Sequence, residues 1–344
     1  MKYEGLSAVD TATSLDETTG ETSGVAHWRP PDGRRMLQLA LAAVWLLDGV
    51  LQLQPFFFTS GPNGLSAMLK GAAAGNPSFV ARSITWNASI VGHHAEVTNA
   101  AFAFIQILLG FGIAWRASLK PALVISIVWS LGVWWFGEGL GGVFNGNGSP
   151  LAGSPGAVLF YALLAVLLWP PRRPDLRGPL VAAGRVGIVA AKVVWVVVWV
   201  GMGVLALIGS ARSPEGVHDL IDGLKAGQPG WLAALDRHAE SLVAHRGLTV
   251  ALVFAALCVV VALSAFLSVR ATRAGIVLAV LAAAAIWVVG QNFGLIFVGG
   301  ATDPNSGPLL ILLALAYWPV LPPPVTPTEV RTVPSPLAVT FGRS

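Results

Sequence analysis

Long apolar runs, almost free of charge, dominate this sequence and decide what it can fold into. Hydrophobic residues make up 55% of its 344 residues and charged residues only 11%, well below the roughly 25% charged fraction of soluble domains. A transmembrane helix needs about 20 apolar residues to cross about 30 Å of hydrocarbon. Eight runs reach or approach this length, namely 36–58, 97–115, 120–143, 153–170, 186–209, 248–268, 273–297 and 306–321. The sequence therefore predicts an all-α polytopic membrane protein with eight transmembrane helices.

The positions of Lys and Arg predict which ends of these helices face the cytoplasm. Cations cluster before the first run and in alternate connections after it: Arg29, Arg34 and Arg35, then Arg116 and Lys120, Arg172 to Lys192, Arg270 and Arg273, and Arg331 and Arg343. Cytoplasmic segments are enriched in such residues. We therefore expect a multi-pass protein of the bacterial plasma (inner) membrane with both termini in the cytoplasm. Because the cations are topology signals, the net charge of +4 does not indicate a nucleic-acid partner.

Two stretches about 150 residues apart share one pattern and predict an internal duplication. Trp134–Gly142 and Trp287–Gly294 both begin with Trp-x-x-Gly followed by Glu or Gln. Similar matches join Ala74–Phe79 to Ala226–Trp231. Self-similarity at a fixed period is typical of duplicated architectures. Because each unit has an even number of spans, we expect two parallel four-helix repeats related by an axis along the membrane normal.

The long outer loops and the polar ends complete the predicted organisation. Each outer loop has the amphipathic character of interfacial helices, two per loop. In the second loop we expect Asp236, Arg237 and Glu240 to face water. The predicted segments are a disordered cytoplasmic tail (1–28), the first repeat (29–170), a cytoplasmic linker (171–185), the second repeat (186–321) and a Pro-rich cytoplasmic tail (322–344).

Two carboxylates in the first repeat are the strongest candidates for a site. Asp48 lies inside the first run and Glu138 at the outer end of the third. Charged side chains at membrane depth are costly and mark functional sites by default. At the matching positions of the second repeat stand Met202 and Gln291, and Gln291 is itself a candidate for a ligand or proton site. This asymmetry favours a single ligand or proton site in the first repeat, with an interfacial, structural carboxylate as the alternative for Glu138.

Three further polar residues are predicted near the same outer end. Gln52 lies in the outer part of the first run, and His93 and His94 precede the second. Histidine and carboxylate together can bind a divalent metal, which makes His94 with Glu138 a candidate pair. The i,i+3 or i,i+4 spacing of helical metal sites is missing, so surface or helix-end histidines are the favoured interpretation. The single cysteine, Cys258, allows no intrachain disulfide.

The first span and its following loop resemble a known family. Trp45-Leu46-Leu47-Asp48-Gly49 and the four-helix unit look like the DoxX/DoxD-like membrane proteins, which are linked to quinone-dependent redox systems. The resemblance implies a quinone-like or lipid-like ligand, and it transfers no catalytic residue.

Three functions remain open at this point. The favoured one is a non-catalytic accessory or scaffold subunit that binds such a ligand and contacts membrane lipids and other membrane subunits. The alternatives are a secondary transporter or ion-coupled permease that uses Asp48 and Glu138, and a subunit of a quinone-linked membrane oxidoreductase. No nucleotide-binding glycine loop or hydrolase motif occurs in the chain.

Overall fold

A computed structural model describes residues 32–59, 61, 64–171 and 179–319. The predicted tails 1–28 and 322–344, and much of the predicted linker 171–185, lie outside these residues.

All regular structure in the described residues is helical, as predicted. In chain order the helices are α1 (Gly33–Gln52), α2 (Leu65–Ala73), α3 (Ser78–His93), α4 (Ala95–Ala114), α5 (Leu119–Phe136), α6 (Ala157–Leu167), α7 (Ala183–Val186), α8 (Ile188–Ile208), α9 (Gly216–Leu224), α10 (Gly230–Val243), α11 (Gly247–Ser264), α12 (Val269–Ala285) and α13 (Ser306–Ala316).

Six helical segments in the described part of the chain are long and apolar enough to cross a membrane. Five are α1, α4, α5, α8 and α11, and the sixth runs from Val269 to Val298. This last segment continues α12 through a π-helical turn at Ile286–Gly290 and an irregular turn at Asn292–Val298. The protein is therefore a multi-pass membrane protein.

The fourth and eighth predicted spans form shorter helices than expected. Both α6 and α13 contain 11 residues, which is about 16 Å of helix at 1.5 Å per residue. The residues before them cannot continue a helix, because Gly153 and Gly156 have φ of 109° and 118° and Asn305 has φ of 66°. Eight full-length spanning helices are therefore not confirmed.

Helix pairs build the bundle around one continuous apolar core. The pairs are α1 with α4, α5 with α6, α8 with α11 and α12 with α13, and the two short helices α6 and α13 also pack against each other. Between α1 and α4 the backbones approach closely, since a Cβ on Gly110 would lie 2.9 Å from the Ala42 carbonyl oxygen. Glycines at such crossings allow membrane helices to pack tightly.

The two long loops after α1 and α8 each contain two helices, α2 with α3 and α9 with α10, as predicted. The expected orientation of α10 is wrong in part. Arg237 is exposed, but Asp236 is 0% and Glu240 7% exposed. These acids turn inward because they have partners there: Asn292 Nδ2 donates to Asp236 at 2.8 Å, and Lys225 Nζ donates to Glu240 at 2.8 Å.

Candidate ligand-binding cavity

Asp48 lies on the inner face of α1, near its outer end, and is 2% exposed. Its Oδ2 atom accepts a hydrogen bond from the Tyr161 hydroxyl of α6. The Tyr161 ring packs against Trp45, one turn before Asp48, with the ring centroids 4.3 Å apart. Trp45 in turn donates to Ser126 Oγ of α5 at 3.2 Å. Three helices thus hold the carboxylate and the aromatic pair beside it.

Glu138 follows the end of α5, and its position depends on the start of α6. Its Oε1 atom accepts a hydrogen bond from the Val158 backbone N at 3.3 Å. Unpaired N–H groups at a helix N-terminus attract a negative charge. Trp134 Nε1 donates to the Pro155 carbonyl at 2.6 Å and holds the same turn in place. Gly156 is required there, since a Cβ would overlap Glu138 Oε2.

The second half contains a similar arrangement without a carboxylate. Gln291 is 2% exposed, and its Oε1 atom accepts from the Gly307 backbone N at 3.1 Å, in the first turn of α13. Its Nε2 atom donates to Ser306 Oγ at 2.7 Å. Trp287 donates to the Pro304 carbonyl at 2.8 Å, as Trp134 does to Pro155. Stabilising the short helix therefore requires an acceptor at this position, and an amide is sufficient.

A cavity of about 390 Å³ brings Asp48 and Glu138 together. Much of its wall is one face of α5, formed by residues spaced three or four apart: Ile125, Val128, Trp129, Gly132, Val133 and Phe136. Opposite this face are Phe102 and Gln106 of α4, and toward the outer end are Leu65, Met68 and Leu69 of α2. The cavity is mainly apolar and runs along α5 from its middle to its outer end.

Four polar atoms of residues that line the cavity have no hydrogen-bond partner in the described part of the chain. Three are acceptors, Asp48 Oδ1, Gln106 Oε1 and Glu138 Oε2, and one is a donor, Trp129 Nε1. Gln106 is only 9% exposed. Buried polar atoms normally have partners, so this concentration of exceptions calls for an explanation. The sequence reasoning missed Gln106, although a glutamine inside an apolar run is a visible signal.

Asp303 lines the same cavity although it belongs to the second half. It lies just before α13, where its oxygens accept from the Thr302 hydroxyl at 2.9 Å and from the Asn305 backbone N at 2.7 Å. Burial raises the pKa of the Asp303 carboxyl above its ordinary value, and these two hydrogen bonds oppose the rise. The sequence reasoning missed this residue as well, because it stands in a connecting segment.

The remaining predicted site residues separate into two groups. Gln52 lines the cavity, and its side chain pairs with Asn99, whose Nδ2 donates back to the Gln52 carbonyl at 2.8 Å. His93 and His94 are exposed at the α3–α4 junction and do not line the cavity. Within the described residues, no group of three His, Cys, Asp or Glu side chains could hold a metal ion.

A second, more polar space of about 360 Å³ adjoins the first, and we call it the vestibule. Glu138 and Asp303 line both spaces. The vestibule is also lined by the turn after α5, where Gly141 has φ of 61°, by Asn145 and Asn147, and by the segment before α6 that contains Ser154 and Gly156. Two carboxyl groups thus stand between the polar vestibule and the apolar cavity.

The site is therefore a mainly apolar cavity with carboxylates at its middle and outer end. No protein-family model, no curated protein and no solved structure matches the sequence.

Proposed function

We propose that this protein is a non-catalytic membrane protein, an accessory or scaffold subunit, that binds an amphiphilic ligand of quinone-like or lipid-like size in the Asp48–Glu138 cavity. One observation carries the proposal: Asp48, 2% exposed, lines an apolar cavity of about 390 Å³ and has an oxygen without a hydrogen-bond partner in the described part of the chain. Leaving a buried polar atom unpaired costs about 1–3 kcal/mol. A ligand with a polar end and an apolar body would offset this cost and fill the space.

The size and the walls of the cavity support a small molecule of this kind. Ligand pockets usually enclose about 300–1,000 Å³ and are lined mainly by apolar side chains with a few polar groups. Ile125 and Val128 line the cavity and are 53% and 66% exposed, and both lie on the membrane-spanning helix α5. These exposures favour access from the lipid phase, between α5 and its neighbours.

An ion-coupled permease is the second candidate, and the vestibule favours it. Glu138 and Asp303 connect a polar outer space to the cavity, as the outer half of a transport path requires. Next to Asp48, however, the bundle is filled by Trp45, Tyr161, Leu123 and Leu164, each no more than 1% exposed. Dense packing on this side favours binding over passage.

A cavity-filling variant tests the proposed function. Gly132 lines the cavity, and a Cβ added there meets no atom within 4 Å, so Gly132→Phe should fill the space without disturbing the helix contacts. Gly201→Phe in α8 is the matched control, because a Cβ there also meets nothing and Gly201 does not line the cavity. The measurement is mass spectrometry of small molecules extracted from each purified protein.

We expect one class of amphiphile to accompany the wild type and the Gly201→Phe protein and to be lost from Gly132→Phe. Identical extracts from all three proteins would contradict a binding function for the cavity.

We also propose that the chain crosses a bacterial inner membrane eight times, as two four-helix units of the same orientation with cytoplasmic termini. Contacts at both ends of the bundle support this arrangement. Arg34, at the start of α1, donates at 3.0 Å to the carbonyl of Leu167, the last residue of α6, and at 3.0 Å to that of Trp169 just after it. At the other end, a Cβ on Gly209 after α8 would overlap the Gly148 carbonyl in the loop after α5. These contacts support short helices that return the chain to the side on which α1 begins.

A further inference from the structure

We propose that the ligand of this cavity is a cationic amphiphile whose protonated amine lies among Asp48, Gln106, Glu138 and Asp303. The inference rests on the proposed binding function and adds the chemical class of the ligand. Its basis is the balance of donors, acceptors and charges on the cavity wall.

The cavity wall has more unpartnered hydrogen-bond acceptors than donors. Among the described lining residues, three acceptor atoms have no partner: Asp48 Oδ1, Gln106 Oε1 and Glu138 Oε2. One donor there, Trp129 Nε1, also has no partner. A quinone or ester offers carbonyl acceptors, which would satisfy only the tryptophan. An alkylammonium group offers three donors and no acceptor, as the side chain of Lys does, and so suits a wall with more open acceptors than donors.

The second step is charge. Asp48, Glu138 and Asp303 carry three carboxyl groups into the cavity, and none of its described lining residues is Lys, Arg or His. Their partners do not compensate the charge, because Asp48 pairs with a tyrosine hydroxyl and Glu138 with a backbone N–H. Opposite charges attract strongly where water is scarce, and like charges repel. The cavity therefore discriminates against phosphate or carboxylate head groups and favours a cation.

Acidic residues alone do not define a ligand, but buried unpartnered atoms provide independent evidence. Asp48 and Gln106 are 2% and 9% exposed and lie on different helices, α1 and α4. Each has an acceptor atom without a partner, and both residues line the same cavity. Nothing in the described fold satisfies these atoms, so the missing partner is a donor that comes from outside the chain.

Aromatic rings provide a third favourable surface. Trp45, Trp129 and Phe102 line the cavity, and the Phe102 and Trp129 rings meet edge to face with centroids 5.3 Å apart. The faces of such rings attract cations, with tryptophan the most effective. The apolar stripe of α5 then accommodates a hydrocarbon tail, while the vestibule provides water at the Glu138 and Asp303 end.

Three probes with one chain length test the class of the head group: dodecylamine, dodecan-1-ol and dodecanoate. Binding is measured at pH 7 as tryptophan fluorescence of the full chain in phosphatidylcholine nanodiscs, with empty nanodiscs correcting for partition into lipid. We expect the amine to bind about tenfold or more tightly than the alcohol, which is an ordinary gain for one ion pair in a closed site, and dodecanoate not to bind.

Variants attribute this preference to the carboxylates. Asp48→Asn and Glu138→Gln should each reduce the preference for amine over alcohol while alcohol binding is retained. Should Asp48→Asn fail to fold, Glu138→Gln decides the question, because Gln291 already shows that glutamine fits this kind of position. The control is Glu96→Gln, an exposed acid in the first turn of α4, which should keep the full preference.

The two levels of the proposal fail separately. Equal binding of the amine and the alcohol, or an unchanged preference in Glu138→Gln, overturns the cationic ligand and leaves the binding function intact. Binding of all probes that is unaffected by Gly132→Phe overturns the binding function itself.

Discussion

At the scale of single residues, Glu138 combines a structural and a chemical role. One of its oxygens accepts from the Val158 backbone N, and the other is unpartnered at the cavity. Gln291 performs the structural role alone, at the first turn of α13. Since an amide is sufficient at the matching position before α13, the second oxygen of the Glu138 carboxyl is available for another purpose. The asymmetry between the two halves is therefore chemical, while the backbone arrangement is shared.

This division predicts different effects for two substitutions of Glu138. Glu138→Gln should leave the free energy of unfolding within about 0.5 kcal/mol of wild type, because the acceptor for the Val158 backbone N–H remains. Glu138→Ala removes the acceptor and should cost about 0.5–2 kcal/mol, the usual range for a lost helix cap. The measurement is the unfolding of purified protein in detergent. If Gln were as destabilising as Ala, the charge itself would be the structural requirement.

Sequence reasoning identified the acids that interrupt apolar runs and missed the residues that other segments bring to them. Asp48 and Glu138 are visible because carboxylates at membrane depth are costly. Asp303 is not, because an acid in a connecting loop is ordinary until α13 places that loop beside the cavity. For His93 and His94 the sequence showed proximity to the span ends but not direction, and the structure places both on the exposed side of the α3–α4 junction.

At the scale of elements, the helices pack closely where glycines face a partner and leave space where they do not. A Cβ on Gly110 would lie 2.5 Å from Leu46 Cγ, whereas one on Gly132 meets nothing within 4 Å. Both glycines are inside membrane-spanning helices, α4 and α5. The same residue type therefore serves close packing at one position and an open cavity at the other.

Alanine at these two glycines should have opposite effects on stability. Gly110→Ala forces α1 and α4 apart, and overpacking of this kind costs about 1–3 kcal/mol. Gly132→Ala removes the conformational freedom of glycine from a helix interior without a clash, which should be neutral or stabilise by up to about 1 kcal/mol. Reversible unfolding in mixed detergent measures both. Equal destabilisation by the two variants would show that the cavity wall is closed at Gly132.

The contribution of Asp236, in α10, to the stability of the fold should depend on pH. Burial raises the pKa of the Asp236 carboxyl above its ordinary value, and the nearby Glu240 adds to the rise. The hydrogen bond from Asn292 and the charges of Lys225 and Arg237 oppose it. A carboxyl with a raised folded-state pKa contributes stability at low pH that is lost as pH rises through that pKa. Asp236→Asn should therefore gain stability relative to wild type as the pH is raised from about 4 to about 7.

Asp222, in the neighbouring α9, is a control of opposite sign. Hydrogen bonding from Lys225 lowers the pKa of its carboxyl, so its contribution appears as pH rises. Asp222→Asn should lose stability relative to wild type as the pH is raised from about 2 to about 5, around and below the ordinary carboxyl pKa. The measurement is the melting temperature of each variant and of wild type as a function of pH. If both variants changed in the same direction relative to wild type as pH rises, the inward orientation of Asp236 would be contradicted.

At the scale of the whole molecule, apolar length predicted the membrane class and local backbone chemistry limited the helix count. The runs 153–170 and 306–321 are apolar enough to be read as spans. Their helices are short because Gly153, Gly156 and Asn305 have positive φ angles, so that α6 and α13 begin only after these residues. A hydropathy pattern averages over such residues and so overestimates the helix. Which side the second half faces depends on whether these short helices complete a crossing.

Labelling of single cysteines from either side of the membrane decides between six and eight crossings. The background is Cys258→Ala, because Cys258 is the only cysteine in the chain and is buried. Asn147→Cys follows α5 and Ser213→Cys follows α8, and both positions are exposed. If α6 returns the chain across the membrane, an impermeant maleimide added to intact cells labels both.

If α6 does not return the chain across the membrane, α8 starts from the outer side, and Ser213→Cys is labelled only after the membrane is opened. The proximity of Gly148 to Gly209 favours labelling of both positions from outside. Ala117→Cys, exposed between α4 and α5, is the inner-side control and should require opened membranes. Labelling of Asn147→Cys and Ser213→Cys from opposite sides would overturn the parallel arrangement of the two halves. It would also place Asp303 on the opposite side of the membrane from Glu138, and the acidic cavity would then lose its contribution from the second half.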